Sequence, residues 1–276
     1  MMVWELTCRQ VLAEAALALA ETSDTPRLDA ELLMAHALGI TREDLLLRHL
    51  DAPAPGTFAA LLARRLAHEP IAYITGTRAF WTIDLVVGPG ALVPRADSET
   101  LIEAAIDHFG AAGPSMILDL GTGPGTLLLA ALAQWPDATG LGIDQSAAAL
   151  AMAKANADRL GLADRATFMP GDWASGVAQR FDLVLCNPPY IGASEHLPRD
   201  VAAYEPHEAL FAGADGLDDY RIIMPQLPSL LKPGGLAVLE IGHTQAEAVS
   251  AMVEAAGLTA SLQRDLAGRP RAIIAR

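Results

Sequence analysis

Residues 117–130 read ILDLGTGPGTLLLA: a short apolar run, a turn built on three glycines, and a longer run of leucine and alanine. The first run has the length of a buried strand and the second the composition of a buried helix, so the glycines mark a strand-to-helix turn. Gly121, Gly123 and Gly125 admit positive φ and let a ligand approach the backbone closely, with Thr122 and Pro124 between them. Taken alone, such a turn serves equally well to pack a strand tightly against a helix.

Working outward, strands and helices alternate from about Ala96 onward. Strands are expected at 116–120, 138–144, 166–171, 181–186 and 231–242, helices at 126–135, 146–160, 218–231 and 246–257, and a final pair of strands closes the chain. Alternation of this kind requires right-handed crossovers and a mostly parallel sheet covered on both faces. Ligands of such sheets bind at the carboxyl ends of the strands, which is where the glycine turn lies.

Asp144 ends the next strand, at the spacing where a carboxylate accepts ribose hydroxyls. By itself it is also an ordinary helix cap before Ser146. Asp172 and Trp173 follow the third strand, where a carboxylate can accept from an exocyclic amine and an indole can cover a base; singly, they read as a cap and a packing residue. The glycine spacing is G-x-G-x-G and not the G-x-G-x-x-G of pyrophosphate sites, which favours S-adenosyl-L-methionine over a dinucleotide.

The fourth strand, 181–186, runs into a proline turn, so that residues 181–190 read FDLVLCNPPY. Pro188 and Pro189 fix their own φ and hold the preceding residues extended, so the Asn187 side chain and the Pro188 carbonyl become rigid acceptors, with Tyr190 as a flat wall. Two converging acceptors suit an NH2 group on a conjugated substrate, an amide or a base amine. Such a nitrogen is a poor nucleophile, and accepting both of its hydrogens orients it and stabilises the positive charge that develops on it. A plain strand-ending turn would need only one proline and a capping asparagine.

The first part of the chain differs. Helices are expected from Val3 to Ala20, Arg27 to Leu38, Arg42 to Leu50 and Thr57 to His68, a small bundle that by itself implies docking at most. From Ala79 to Val93 branched and aromatic residues surround a glycine-proline turn and predict a hairpin. The expected organisation is therefore 1–76 helical, 77–95 a hairpin linker, and 96–276 the sheet domain.

Composition excludes several function classes. The 276 residues are 52% hydrophobic, ample for a core without disulfides or metals. No run reaches the roughly 20 uncharged apolar residues of a membrane span. Glu5, Arg9 and Glu14 interrupt the N-terminal apolar run, so an amphipathic helix is expected there and export is not. Cys8 and Cys186 form no framework, consistent with a reducing cytoplasm, and seven scattered histidines offer no metal site. A net charge of −14 opposes stable nucleic-acid binding.

These motifs together resemble the release factor glutamine methyltransferases, also called HemK or PrmC proteins. The resemblance spans nearly the whole chain: EPIAYITGTRAFWTIDLVVGPGALVPRADSETLIE (69–103), ILDLGTGPG, GDW, FDLVLCNPPY, YEPHEALFAGADGLDDYRIIM (204–224), LKPGGLAVLEIG and RDLAGRPRAIIAR. NPPY alone is shared with nucleic-acid amino methyltransferases; the combination is specific. The resemblance implies a Rossmann-like class I methyltransferase domain with a mostly parallel seven-stranded sheet and a helical substrate-docking domain. It also implies methyl transfer to the side-chain amide of the glutamine in the Gly-Gly-Gln motif of class I peptide chain release factors. By position, Gly121, Thr122, Gly123, Pro124, Gly125, Asp144, Asp172, Trp173 and Asn187 would hold the cofactor, and Asn187, Pro188, Pro189 and Tyr190 the glutamine, with Asn187, Pro188 and Tyr190 catalytic.

Two departures stand out. Pro124 replaces a small residue and removes one N–H from the cofactor loop, and RADSE replaces the commoner RPxTE; Arg95 and Glu99 either shape the substrate pocket or form a linker ion pair. A monomer is expected. The competing readings are a DNA or RNA adenine or guanine amino methyltransferase, which would flip a base into the NPPY slot, and a silent adaptor that keeps the fold.

Overall fold

The computed structural model describes residues 6–276, so the expected helix start at Val3 lies outside the described residues. The chain divides into two compact units. One runs to Thr77 and adds Leu197–Tyr204; the other comprises Arg78–His196 and Glu205–Arg276.

The first unit is helical: α1 (Cys8–Ala18), α2 (Pro26–Leu38), α3 (Arg42–Asp44), α4 (Phe58–Leu66) and α5 (Ile71–Thr75). A capping box starts α1, with Thr7 accepting from the Gln10 N–H and Gln10 reaching back to Thr7. Gly39, at φ 67°, ends α2 in the left-handed conformation that favours glycine. The expected helix 42–50 is only one α turn, continued by a π-helical turn over Leu45–His49. Leu12, Leu19, Leu33, Met34, Leu45 and Phe58 form the core. On α4 the buried Arg65 donates to Asp29 at 2.7 Å, and Asp29 also accepts from Ser23 and Thr25, so both charges are paired. Arg65 also pairs with Asp200 at 3.7 Å, and the Tyr204 hydroxyl donates to the Ala67 carbonyl at 3.0 Å. Residues 197–204 fall in the span 96–276 expected to form the sheet domain, whereas these bonds tie them to the helices.

In the second unit, β1 (Thr77–Phe80), which begins on the last residue of the first unit, and β2 (Ile83–Val86) form the hairpin. Its turn is Trp81–Thr82, with Trp81 at φ 55°, and not the expected Gly88-Pro89-Gly90. The buried Asn156 explains where β2 is fixed: it accepts from the Val86 N–H at 2.7 Å and donates to the Val86 and Pro124 carbonyls at 3.0 Å each.

The sheet then follows with α6 (Glu99–Phe109), β3 (Met116–Leu120), α7 (Thr126–Gln134), β4 (Thr139–Asp144), α8 (Ala147–Arg159), β5 (Ala166–Pro170) and β6 (Phe181–Cys186). The short helix α9 (Arg199–Tyr204) belongs to the helical unit. The chain returns as α10 (Asp218–Ile223), α11 (Leu227–Leu230), β7 (Leu231–Glu240), α12 (Ala246–Ala255), β8 (Ala260–Arg264) and β9 (Pro270–Ala275). The helix expected over 218–231 is split by Pro225 and Pro228, with a 3-10 turn at Met224–Gln226. Strand order is β5-β4-β3-β6-β7-β9-β8. All neighbours from β5 to β7 are parallel, and β9 is antiparallel to both β7 and β8, which gives the expected mostly parallel seven-stranded sheet.

Leu118, Val184, Leu239 and Ile273 are fully or nearly fully buried in this sheet, as strands covered on both faces require. From β3 the chain steps outward to β4 and β5, then crosses back to β6 on the other side of β3. That reversal between β3 and β6 is the switch point at which open α/β sheets bind ligands. Among the described residues no helix is long and apolar enough to cross a membrane.

Candidate active site

Leu120 at the end of β3 is register partner to Ile143 on one side and Cys186 on the other, so three loops leave the sheet together. The glycine turn is anchored to its neighbour strand: the Gly121 and Thr122 N–H groups donate to the Ile143 carbonyl at 2.9 and 3.0 Å. The Gly123 N–H donates to Asp144 Oδ2 at 2.8 Å, and the Gly125 N–H to the Thr122 carbonyl at 2.9 Å. Four of the five loop residues thus use their N–H to shape the turn, and Pro124 lacks a donor without leaving any of these bonds unmade. Gly121, at φ 69°, is required twice over, because a Cβ there would also press on the Trp173 indole at 3.3 Å.

Asp144 does more than cap a helix. Its Oδ1 accepts from the Ser146 N–H at 2.8 Å while Ser146 itself caps α8 by accepting from Ala149. The carboxylate therefore joins the glycine turn to the start of α8. Trp173 adopts φ 49°, a left-handed conformation that is costly for a bulky residue and is kept where function or packing demands it. Asp219, which lines the same cavity as Trp173, has its pKa raised mainly by burial.

These loops enclose a cavity of about 200 Å³ lined by Gly121, Gly123, Asp144, Asp172, Trp173, Asn187 and Pro189, together with Gly90, Ala91, Leu92, Gln145, Glu208 and Ile222. A smaller cavity of about 50 Å³ adjoins Gly121, Gly123 and Asn187 as well, and is lined by Thr122, Pro124, Arg95, Ser98 and Asp119. Of the residues singled out in the sequence for the cofactor or substrate site, Glu99, Gly125, Pro188 and Tyr190 line neither cavity. Gly125 is the N-cap position of α7 and Pro188 is buried. The Tyr190 hydroxyl donates to the buried Glu240 at 3.2 Å, and burial raises its pKa well above the ordinary phenol value. The Asn187 Nδ2 donates to Ser98 Oγ at 3.4 Å, which leaves Oδ1 as the acceptor of that amide.

Sequence reasoning passed over Asp119, Ser98, Glu205 and Glu240. The signal for Asp119 was present: a carboxylate inside an otherwise apolar strand, one residue before the turn. Asp119 is 1% exposed; its Oδ2 accepts from Thr122 Oγ1 at 2.6 Å and the Leu128 N–H at 3.2 Å, and its Oδ1 has no partner. Burial raises its pKa to about 7. Of the two alternatives for Arg95 and Glu99, the ion pair between them is not formed, while Arg95 lines the smaller cavity. Arg95 instead pairs with Glu205, and Glu99 accepts from the Trp81 N–H at 2.8 Å.

Comparison with known proteins decides the family. Residues 10–76 match the PrmC N-terminal domain and residues 115–264 a methyltransferase domain. A release factor glutamine methyltransferase of Rhodospirillum rubrum is 44% identical over 259 residues, covering 92% of this chain and 79% of that one. The chain belongs to the release factor glutamine methyltransferase family. Other members are the Cereibacter sphaeroides enzyme, 46% identical with 90% of each chain covered, and the Moorella thermoacetica enzyme, 40% identical with 98% of each covered. Among solved structures, a methyltransferase from Pyrococcus furiosus superposes with a TM-score of 0.55 at 17% identity, covering 79% of this chain and 98% of that one, a likeness of fold. The cavity at the switch point is thus where this family member carries its glycine turn and its NPPY turn side by side.

Proposed function

We propose that the protein transfers a methyl group from S-adenosyl-L-methionine to the side-chain amide nitrogen of the glutamine in the Gly-Gly-Gln motif of class I peptide chain release factors. The observation that carries this reading is the adjacency of Asn187 to Gly121 across the switch point, within relatives 40–46% identical that bear this name. The alternative on nucleic-acid bases is disfavoured by the net charge of −14.

The residues present fit the cofactor. A Cβ on Gly123 would meet nothing within 4 Å, so the turn has open space beside it, and Asp144 lies at the edge of that space with a carboxylate for ribose hydroxyls. Asp119 Oδ1, buried without a partner in the adjoining cavity, suits an ammonium group. Gly121, Thr122, Gly123, Pro124, Gly125, Asp144, Asp172, Trp173 and Asn187 are the residues proposed to hold it. When bound, S-adenosylmethionine supplies an electrophilic methyl on a cationic sulfur.

The protein's own part is to bind and orient the amide. Asn187 Oδ1 and the Pro188 carbonyl accept the two N–H hydrogens of the glutamine, turning its nitrogen toward the cavity and stabilising charge as it develops. Pro188, Pro189 and Tyr190 keep that corner stiff, Tyr190 through its bond to Glu240. No strong base is required before transfer, because the nitrogen becomes acidic on gaining the methyl and then releases its proton to water. The protein is proposed to act as a cytoplasmic monomer without stable nucleic-acid binding, one chain supplying the whole cavity.

The test is incubation with radiolabelled methyl donor and, separately, a release factor, its Gln-to-Ala variant in the Gly-Gly-Gln motif, and duplex DNA. Label on the first alone supports the proposal. Label on DNA would favour base methylation, and no label anywhere would favour a silent adaptor.

A further inference from the structure

We propose that Glu205 is a positioning residue for cofactor binding, a buried carboxylate that clasps the two cavity walls lying outside the sheet. The inference rests on the assignment of the large cavity to S-adenosylmethionine.

Glu205 is 5% exposed and uses both oxygens: Oε2 accepts from the Val93 N–H at 3.0 Å, and Oε1 pairs with the Arg95 guanidinium. Each partner lies on a wall. Gly90, Ala91 and Leu92, just before Val93, line the large cavity, and so do Pro206, Glu208 and Ala209, just after Glu205. Neither segment is part of the sheet ladder, and the carboxylate bonds one to the other. Arg95 in turn lines the smaller cavity. Arg78 donates to the Pro94 carbonyl at 3.1 Å, its pKa lowered by burial and by Arg95 beside it. Glu99 offsets part of the charge on Arg78, but Glu205 is the carboxylate paired with Arg95, and without it the repulsion between the two cations at the edge of the site would grow.

The requirement is for a carboxylate specifically. Two donors converge on two oxygens, and a carboxamide of the same size offers one acceptor and one donor, so in Glu205→Gln either Val93 or Arg95 faces an N–H. The motifs LVPRADSE and YEPHEAL thereby acquire a joint role, one supplying the donors and the other the acceptor.

The experiment measures cofactor dissociation by calorimetry and backbone hydrogen exchange in ligand-free protein. Glu205→Gln is expected to raise the dissociation constant roughly tenfold, the loss of one hydrogen bond to a charged group. Exchange at residues 90–93 and 207–209 is expected to quicken while the sheet amides stay protected. Val253→Ala, a core truncation on α12 in the same unit, controls for general destabilisation and should leave affinity unchanged. If Glu205→Gln does not fold, Arg95→Lys should show a smaller rise in the same direction. Wild-type affinity with unchanged exchange, or an equal rise in Val253→Ala, overturns the inference alone; a wild-type protein that binds no S-adenosylmethionine overturns the assignment of the cavity itself.

Discussion

Leu120 and Cys186 are register partners in the parallel ladder between β3 and β6, and the residues that follow them, Gly121 and Asn187, leave the sheet as neighbours. A Cβ placed on Gly121 would lie 3.9 Å from the Asn187 carbonyl oxygen. The glycine turn and the NPPY turn are therefore set side by side by strand pairing and not by a loop.

Asp144 holds the Gly123 and Ser146 N–H groups at 2.8 Å each. Asp144→Ala should weaken S-adenosylmethionine binding by about 10- to 100-fold, as two backbone donors lose their acceptor and the ribose loses its own. Turnover at saturating cofactor should change less. Asp144→Asn keeps one acceptor and should fall between. Calorimetry measures the affinities; an unchanged value for Asp144→Ala would contradict the role.

Gly216, at φ 73°, has no room for a side chain: a Cβ would sit 2.2 Å from the Tyr190 carbonyl oxygen and 2.8 Å from Gln245 Nε2. Gly216→Ala should cost more than about 3 kcal/mol, or displace the NPPY corner with loss of turnover. Gly161 has a similar φ of 69° but nothing within 4 Å, and its replacement by alanine should cost about 1 kcal/mol. Urea titrations of the two variants should separate them; equal losses would contradict the packing described.

Asp119, with its pKa raised from 3.8 to about 7 chiefly by burial, binds its proton more tightly in the folded than in the unfolded chain. Its contribution to stability is present below about pH 4 and is lost as pH rises through about 7. Glu240, raised to about 7 by burial, acts in the same direction. Asp119→Asn removes one of these titrations, so the stability of the variant relative to wild type should improve as pH rises from about 4 to about 7. A difference that is flat across that window in urea titrations would contradict the assignment.

With a net charge of −14, the protein should attract a locally basic partner region such as a segment that approaches ribosomal RNA. Stopped-flow association with a release factor should slow steeply as salt rises. A salt-independent rate would reject electrostatic attraction.

Much of the fold was legible because it depends on local signals. The apolar runs 116–120 and 181–186 and the glycines between strand and helix identify themselves by composition, and Asp144 and Asn187 follow by position. What was not legible depends on contacts distant in sequence. The Glu205 carboxylate reaches Val93 across 112 positions, and Asn156 fixes Val86 across 70. The hairpin turn was misplaced because Gly88-Pro89-Gly90 has the composition of a turn, whereas the chain turns at Trp81 in a conformation that its side chain disfavours. Tyr190 was read as a wall of the cleft, yet its hydroxyl is drawn to Glu240, a carboxylate 50 residues on that no local pattern reveals.

The most direct test of the central claim is single-turnover methylation of a release factor by wild type and by Asn187→Ala at saturating S-adenosylmethionine, with cofactor affinity measured in parallel. The account predicts a rate for the variant about 10²- to 10³-fold lower, the loss of one oriented acceptor, with cofactor affinity falling by much less than the rate. A near-normal rate would show that the Asn187 carboxamide does not hold the reacting nitrogen and would contradict the mechanism.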